Sequence, residues 1–210
     1  MSDGRPVLYD VDARVARLTL NRPERGNALT PALIAELAEC VRRADLDARV
    51  HVLLLAGAGS GFCGGYDLVA SAERMGEGEA RADRDEPADG GAAPRDTSDA
   101  SAGKAASAPA GSPLDPAAIA ANHDLRRTWD PMVDYAMMSR NVRAFMSLLE
   151  CGKPVVCRVH GFCVAGGTDM ALCSDLLVIA DDAKIGYPPA RVWGSPTPAL
   201  WAHRLGAQRA

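Results

Sequence analysis

Apolar residues in the first quarter of the chain follow strand-like and helix-like spacings in turn. Short apolar runs predict β-strands at residues 7–10, 15–20 and 50–56. Between the second and third runs, Thr30 and Pro31 have the form of a helix N-cap followed by proline at the first helical position. Apolar side chains then recur at helical spacing, which predicts an amphipathic helix over residues 31–46. This β-α-β order is typical of a mixed α/β fold with parallel strands.

The second half of the chain shows a similar succession. An apolar stripe rich in methionine predicts a helix over residues 131–150, which we expect to pack in the core or to line a substrate tunnel. Further apolar runs predict strands at residues 154–159, 176–180 and 184–187. The pattern also predicts a helix over residues 169–173 and another amphipathic segment that begins at Leu200.

A long polar segment separates the two halves. Residues 76–113 contain no Val, Ile, Leu, Met, Phe, Tyr, Trp or Cys. Such a segment cannot bury enough apolar surface to offset the entropy that is lost on ordering. We therefore predict a mostly disordered insertion over residues 76–128, and a single core domain that combines residues 1–75 with residues 129–210.

Composition and charge narrow the range of partners. The chain of 210 residues is 48% hydrophobic and 24% charged, as globular proteins are, and its net charge of −4 includes no basic block. We therefore expect no nucleic-acid partner and no membrane partner. No apolar leader opens the sequence and no apolar run approaches the ~18 residues of a membrane span, which predicts a cytoplasmic protein.

Cysteine and histidine spacing gives no sign of a metal site. None of the six cysteines belongs to a Cys-x-x-Cys pair, and the four histidines are scattered. We expect the thiols to be reduced and mostly buried, and we expect no metal ligand among these residues.

Two glycine-rich turns carry the candidate chemistry. Gly64-Gly65 and Gly166-Gly167 each follow a buried strand and precede a predicted helix. Glycine pairs leave backbone N–H groups open to a ligand, and a helix start adds partial positive charge. Because Asp169 falls in the first turn of the second helix, the pattern predicts an oxyanion hole beside a carboxylate. Tight packing at a helix N-terminus is the alternative interpretation.

These turns and their flanking residues resemble the motifs of the enoyl-CoA hydratase/isomerase family, the crotonase superfamily. The resemblance lies in Asn21-Arg22-Pro23 with Asn27-Ala28-Leu29, in residues 62–68, in residues 153–175 and in residues 183–194. It implies a crotonase-like spiral of ββα units that assembles as a homotrimer or hexamer. It also implies an acyl-CoA substrate, so that coenzyme A arrives as part of the substrate and no separate cofactor is expected.

The resemblance also implies roles for particular residues. By position, the backbone N–H groups of Tyr66 and Gly166 would hold the thioester oxygen, and Asp169 would act as the acid or base. The residues that would bind coenzyme A are Arg25, Ala28, Gly64, Asp67, Leu68 and Gly167. For Arg25, a solvated loop charge is the alternative to a phosphate contact.

One departure from the family pattern bears on the reaction. Hydratases of the family use two glutamates, of which the first falls at Asp169 and the second at Pro189. Because proline cannot transfer a proton, the two-carboxylate hydratase mechanism is not expected, whereas an isomerisation with one base remains open. Tyr187, Asp130 and Asp134 are further candidates for a proton-transferring group.

A second departure is length, since the family members that the sequence resembles continue beyond the point where this chain stops. We therefore expect a truncated member of the family. Three hypotheses remain open: an enzyme of the enoyl-CoA hydratase/isomerase type, a non-catalytic protein that binds CoA esters, and an oligomerisation partner of a longer paralogue.

Overall fold

The structure is a computed structural model that describes residues 4–68, 109–124, 126–191 and 200–210. The chain divides into two compact units, one formed by Met1–Asp67 with Ser139–Ala210 and the other by Leu68–Met138. Residues 76–108 of the predicted insertion lie outside the described residues, as do residues 69–75. The predicted single core domain therefore stays a prediction.

A five-stranded sheet forms the centre of the first unit. Its strands are β1 (Val7–Asp12), β2 (Val15–Leu20), β3 (Val52–Gly57), β4 (Val155–Val159) and β6 (Leu176–Ile179), in the order β1-β2-β3-β4-β6. β1 and β2 form an antiparallel hairpin, whereas every other neighbouring pair is parallel. A second, two-stranded sheet pairs β5 (Phe162–Val164) with β7 (Lys184–Gly186) in parallel. The parallel pairing predicted from the β-α-β order is confirmed.

Five α-helices and two short 3₁₀ helices complete the described chain. The α-helices are α1 (Pro31–Leu46), α2 (Pro116–Asn122), α3 (Pro131–Glu150), α4 (Gly166–Leu172) and α5 (Leu200–Leu205). The 3₁₀ helices span Pro23–Arg25 and Pro188–Arg191. No helix in these described stretches has the length and apolar character needed to cross a membrane.

Helix α1 packs its apolar stripe against β1 and β2. The buried positions are Leu33, Ile34, Leu37, Cys40, Val41 and Ala44, at the spacing that the sequence predicts. The Thr30 side chain accepts a hydrogen bond from the Leu33 N–H, which confirms the predicted N-cap. At the other end, the Lys153 ammonium group donates to the carbonyl oxygens of Ala44 and Asp47 at 2.7 and 2.6 Å. Both ends of the helix are therefore fixed by side-chain hydrogen bonds.

Burial along the sheet follows the position of each strand. β3 lies between two parallel neighbours and buries most of its residues, as a strand covered on both faces does. β6 lies at the edge and leaves Leu176 and Val178 more than half exposed. The first unit thus buries its core around β2, β3 and β4 and leaves one apolar edge strand accessible.

The structure corrects several predicted boundaries. α4 begins at Gly166 rather than at residue 169, so the glycine pair lies inside the helix. β5 was not predicted, since three residues between glycine-rich turns are too few to show a period. α2 lies within the segment predicted to be mostly disordered, where Asp115 caps the helix by accepting the Ala117 N–H and Pro116 occupies the first position.

Candidate active site

Strand β5 joins the two glycine-rich turns. On one side it pairs with β7, and on the other it pairs with Cys63 through an isolated parallel bridge to Cys163. The Cys63 N–H donates to the Phe162 carbonyl at 3.2 Å, and the Val164 N–H donates to the Cys63 carbonyl at 3.0 Å. The turn that follows β3 and the turn that follows β5 are consequently held side by side.

Each turn ends in a backbone N–H that follows a residue with positive φ. Gly65, with φ of 88°, precedes Tyr66, and Ala165, with φ of 50° and ψ of −127°, precedes Gly166. Residues other than glycine rarely adopt the backbone conformation of Ala165, which costs ~1–3 kcal/mol. Backbone strain of this size is found most often at functional sites. Within the described part of the chain, neither the Tyr66 N–H nor the Gly166 N–H donates a hydrogen bond to another protein group.

The unused Gly166 N–H lies close to Gly65, the residue that precedes Tyr66. A Cβ built on Gly65 would lie 3.7 Å from the Gly166 nitrogen and 3.0 Å from the Ala165 Cβ. Tyr66 is fixed from its other side, since the Leu29 N–H donates to the Gly65 carbonyl at 2.7 Å and the Asp67 N–H to the Leu29 carbonyl at 3.0 Å. This arrangement can present two preorganised donors to one oxygen atom.

The glycines of α4 are required by close packing. A Cβ on Gly166 would lie 2.7 Å from Tyr66 Cε2 and 2.9 Å from Leu29 Cδ1. On Gly167 it would lie 2.9 Å from the Cys63 carbonyl oxygen, which belongs to the backbone and cannot rotate away. The interpretation of these glycines as tight packing is therefore correct at both positions, and at Gly166 it coexists with an unused donor.

The Asn27 side chain holds the first glycine-rich turn in place through hydrogen bonds. Its side chain is fully buried, and its backbone has φ of 53°, a conformation that Asn adopts more readily than most residues. The side-chain oxygen accepts the Arg22 N–H at 2.9 Å, and the amide nitrogen donates to the carbonyls of Ala58 and Gly61 at 2.8 and 3.0 Å. One side chain therefore joins the loop after β2 to the loop after β3.

A buried ion pair joins the same two loops. The Arg22 guanidinium lies 2.9 Å from the Asp67 carboxylate and also donates to the Ala28 carbonyl at 2.6 Å. Only 5% of the Asp67 side chain is exposed. Asp67 was predicted to bind coenzyme A, and the structure gives its carboxylate a structural partner; the predicted contact stays a prediction. Sequence reasoning missed this pair, because nothing in the chain links positions 22 and 67.

Asp169 supplies a carboxylate in the helix that begins at the second glycine-rich turn. It is buried in α4, 1% exposed, three residues after Gly166 and so on the same face of the helix. Burial raises the pKa of both Tyr66 and Tyr187, and the Asp169 charge raises them further; for Tyr66, the nearby Asn141 amide offsets part of the increase. Both phenols therefore stay protonated around neutral pH, beside one carboxylate. Sequence reasoning did not identify Asn141.

The thiols near the site are unsuited to nucleophilic chemistry. All six cysteines are free, and five of them are buried, as predicted. Burial raises the pKa of Cys63 and of Cys173 to about 12, and it also raises the pKa of Cys157 and Cys163. Because the thiolate is the reactive form, these side chains act as small apolar residues.

The remaining predicted contacts for coenzyme A differ in exposure. Arg25 lies exposed in the first 3₁₀ helix, Gly64 is exposed in its turn, and Ala28 is half-buried. Leu68 is 75% exposed. Exposed positions are accessible to a ligand, but the structure does not test their predicted role.

Position 189 has no titratable side chain, and the two candidate aspartates of the second unit have structural partners. Pro189 lies in the second 3₁₀ helix. In the second unit, the Asp130 carboxylate accepts the Met132 N–H at the start of α3. The Asp134 carboxylate accepts from Asn122 at 3.2 Å and from the Trp129 indole at 2.8 Å, and it lies 3.1 Å from His123 Nε2. These contacts tie the α2 region to the start of α3.

Comparison with known proteins identifies the family to which this chain belongs. The sequence profile described as enoyl-CoA hydratase/isomerase matches residues 10–87 and 115–210. The chain therefore belongs to the enoyl-CoA hydratase/isomerase family, as its motifs suggested.

Individual relatives agree with this classification. A probable enoyl-CoA hydratase of Mycobacterium tuberculosis is 28% identical over 196 residues, which cover 90% of this chain and 55% of the relative. The 1,2-epoxyphenylacetyl-CoA isomerase of Escherichia coli is 29% identical over 180 residues, 85% of this chain and 48% of that protein. The chain thus spans about half the length of the curated relatives that it matches.

A solved structure confirms the fold. An enoyl-CoA hydratase crystal structure from Mycobacterium smegmatis superposes with a TM-score of 0.74 at 46% identity, covering 97% of this chain and 56% of that one. The predicted crotonase-like α/β fold is therefore confirmed.

Proposed function

We propose that this chain binds an acyl-CoA thioester and stabilises its enolate in an enoyl-CoA hydratase/isomerase type of reaction. The observation that carries the proposal is the pair of unused N–H groups of Tyr66 and Gly166, which belong to adjacent turns beside a buried carboxylate. The names of two relatives support it, since one is a probable enoyl-CoA hydratase and the other is a 1,2-epoxyphenylacetyl-CoA isomerase.

In the proposed reaction, Asp169 takes a proton from the acyl chain. The C–H bond breaks, its electron pair moves toward the thioester, and negative charge develops on the thioester oxygen. The Tyr66 and Gly166 N–H groups donate hydrogen bonds to that oxygen as its charge grows. A preorganised donor of this kind contributes ~3–4 kcal/mol to the stability of a transition state.

A single carboxylate favours isomerisation over water addition. Asp169 can return the proton to a different carbon of the same acyl chain, which moves a double bond without any net change in atoms. Water addition by a carboxylate pair would need a second acid at position 189, where the chain has proline. We therefore propose a one-base reaction.

The remaining parts of the proposal concern binding and assembly. Arg25, Ala28, Gly64, Asp67, Leu68 and Gly167 would contact coenzyme A, which enters as part of the substrate without a separate cofactor. The protein would act in the cytoplasm as a homotrimer or hexamer. The proposed contacts with coenzyme A and the proposed assembly rest on the family resemblance.

The Asp169→Asn variant tests the reaction. It keeps the size of the side chain and removes the base, so turnover of an enoyl-CoA should fall at least ~100-fold while the Kd for butyryl-CoA stays within about twofold. Asp181→Asn, on an exposed turn, is the matched control and should change neither quantity. Full activity of Asp169→Asn would show that another group is the base.

A non-catalytic CoA-ester binding protein is the second candidate, and Pro189 is the residue that favours it. In that case the unmutated chain binds butyryl-CoA but turns over no enoyl-CoA, and Asp169→Asn has no activity to remove. The same two measurements therefore separate the candidates.

A further inference from the structure

The Tyr66 side chain has no role in the reaction proposed above, which uses only its backbone N–H. Its hydroxyl oxygen is buried, and it forms no hydrogen bond with any group in the part of the chain that the structure describes. A buried hydroxyl without a partner is unfavourable, because the hydrogen bonds it made to water are lost and not replaced. The position of such a group beside a candidate active site calls for a functional explanation.

Packing directs the Tyr66 ring along the face of α4 that carries Asp169. The ring lies against Gly166, since a Cβ there would be 2.7 Å from Tyr66 Cε2 and 3.1 Å from Cδ2. Asp169 follows Gly166 by three residues and shares its helix face. The absence of a side chain at Gly166 thus leaves room for the Tyr66 ring against the start of α4.

Polar groups from three elements face the Tyr66 hydroxyl. Asn141 of α3 lies near it and offsets part of the increase that burial causes in the pKa of Tyr66, although no hydrogen bond of ordinary geometry joins the two side chains. Asp169 of α4 and Tyr187, which follows β7, interact with it electrostatically. Among these groups only Asp169 ordinarily carries a charge, so an anionic ligand group would be repelled, whereas a neutral oxygen would meet hydrogen-bond donors.

We propose that the Tyr66 hydroxyl donates a hydrogen bond to a neutral oxygen on the acyl group and so selects oxygen-bearing acyl-CoA thioesters over purely aliphatic ones. The proposal rests on the proposed function, because it requires the acyl group to lie beside Asp169. A purely aliphatic acyl chain would leave the hydroxyl without a partner, and sites of that kind discriminate against such ligands. The Tyr66 side chain is thereby a specificity-determining group, separate from its backbone N–H.

The test compares the full chain with its Tyr66→Phe variant by calorimetric titration. The ligands are butyryl-CoA, 3-hydroxybutyryl-CoA and 4-hydroxybutyryl-CoA, which share a carbon count and differ by one hydroxyl. The unmodified chain should bind at least one hydroxylated ester roughly 3- to 10-fold more tightly than butyryl-CoA, the range of one neutral hydrogen bond. Tyr66→Phe keeps the ring and the backbone N–H but removes the hydroxyl, so the ratio of its affinities for the hydroxylated ester and for butyryl-CoA should fall to about one.

Tyr9→Phe is the matched control. The Tyr9 hydroxyl is also buried without a hydrogen-bond partner, but its ring lies under the Arg43 guanidinium on the α1 side of the sheet. This variant should retain the preference for the hydroxylated ester. A preference lost equally in both variants would overturn the proposal.

Other outcomes are equally decisive. Equal affinity for all three esters in the unmodified chain, or a preference that survives in Tyr66→Phe, overturns the role of the hydroxyl and leaves the proposed function standing. Absence of binding to every ester overturns the proposed function and the inference together. Without ligand, Tyr66→Phe should melt at the same or a higher temperature; a marked decrease would show that the hydroxyl stabilises the fold and would overturn the proposal.

Discussion

At the scale of single residues, Asn27 shows how one side chain can fix the position of the first glycine-rich turn. It lies at the meeting point of two loops and makes three side-chain hydrogen bonds, although it touches neither Tyr66 nor Gly166 through them. Its positive φ and full burial leave few alternative residues for this position. The asparagine of the family-like motif therefore has a structural explanation in this chain.

Replacing Asn27 with alanine should destabilise the protein by about 2–4 kcal/mol. Three hydrogen bonds of ~1 kcal/mol each are lost, and the carbonyls of Ala58 and Gly61 lose their donor. Chemical denaturation of both proteins measures the difference. Asn21→Ala removes a single hydrogen bond to the Arg5 carbonyl and should cost about 1 kcal/mol or less. Equal losses in the two variants would contradict the structural role assigned to Asn27.

At the scale of secondary-structure elements, the start of α4 determines the geometry of the site. The helix begins directly after Ala165, whose strained conformation turns the chain at the end of β5. The turn brings Gly166 against the Tyr66 ring and leaves the Gly166 N–H unused. The site therefore depends on where this helix begins.

A methyl group at Gly166 should disturb the site more than the fold. Gly166→Ala places a Cβ 2.7 Å from the Tyr66 ring, and overpacking of this kind costs ~1–3 kcal/mol. We expect the Kd of butyryl-CoA to rise roughly tenfold. Gly186→Ala, at the end of β7, meets no atom within 4 Å and should leave the Kd unchanged. Unaltered binding by Gly166→Ala would mean that the ligand does not reach this turn.

Long elements, which contain several repeats of the apolar spacing, could be predicted from the sequence. Short elements could not. The boundaries of α1 and α3 were predicted correctly, since each has several turns of apolar spacing and a proline at its start. β5 has three residues, and α2 contains little apolar periodicity. The start of α4 was missed because glycine has a low helix propensity. In the structure, close packing against Tyr66 and Cys63 requires glycine at both of these helical positions.

The parts of the candidate site that consist of residues close together in sequence could be predicted. The two glycine-rich turns and Asp169 were recognised as motifs, and the structure brings the turns together through β5. Contacts between distant positions had no local signal. The Arg22–Asp67 ion pair and the approach of Asn141 to Tyr66 depend on tertiary packing, which no spacing rule encodes.

At the scale of the whole molecule, the chain is a member of the enoyl-CoA hydratase/isomerase family. The described core has the fold of an enoyl-CoA hydratase structure, and the candidate site combines two unused backbone N–H groups with a buried carboxylate. The chain spans about half the length of the relatives that it matches. Ligand binding by the chain itself is therefore the property to measure before any pathway is considered.

The proposed function requires the Tyr66 and Gly166 N–H groups to hold the thioester oxygen. The most direct test is calorimetric titration of the 210-residue chain with butyryl-CoA and with S-butyl-CoA, a thioether that lacks only the carbonyl oxygen. Two hydrogen bonds of ~0.5–1.5 kcal/mol each predict that the thioester binds about 5- to 150-fold more tightly. Equal affinity for the two ligands would contradict the assignment of these amides as the oxyanion hole.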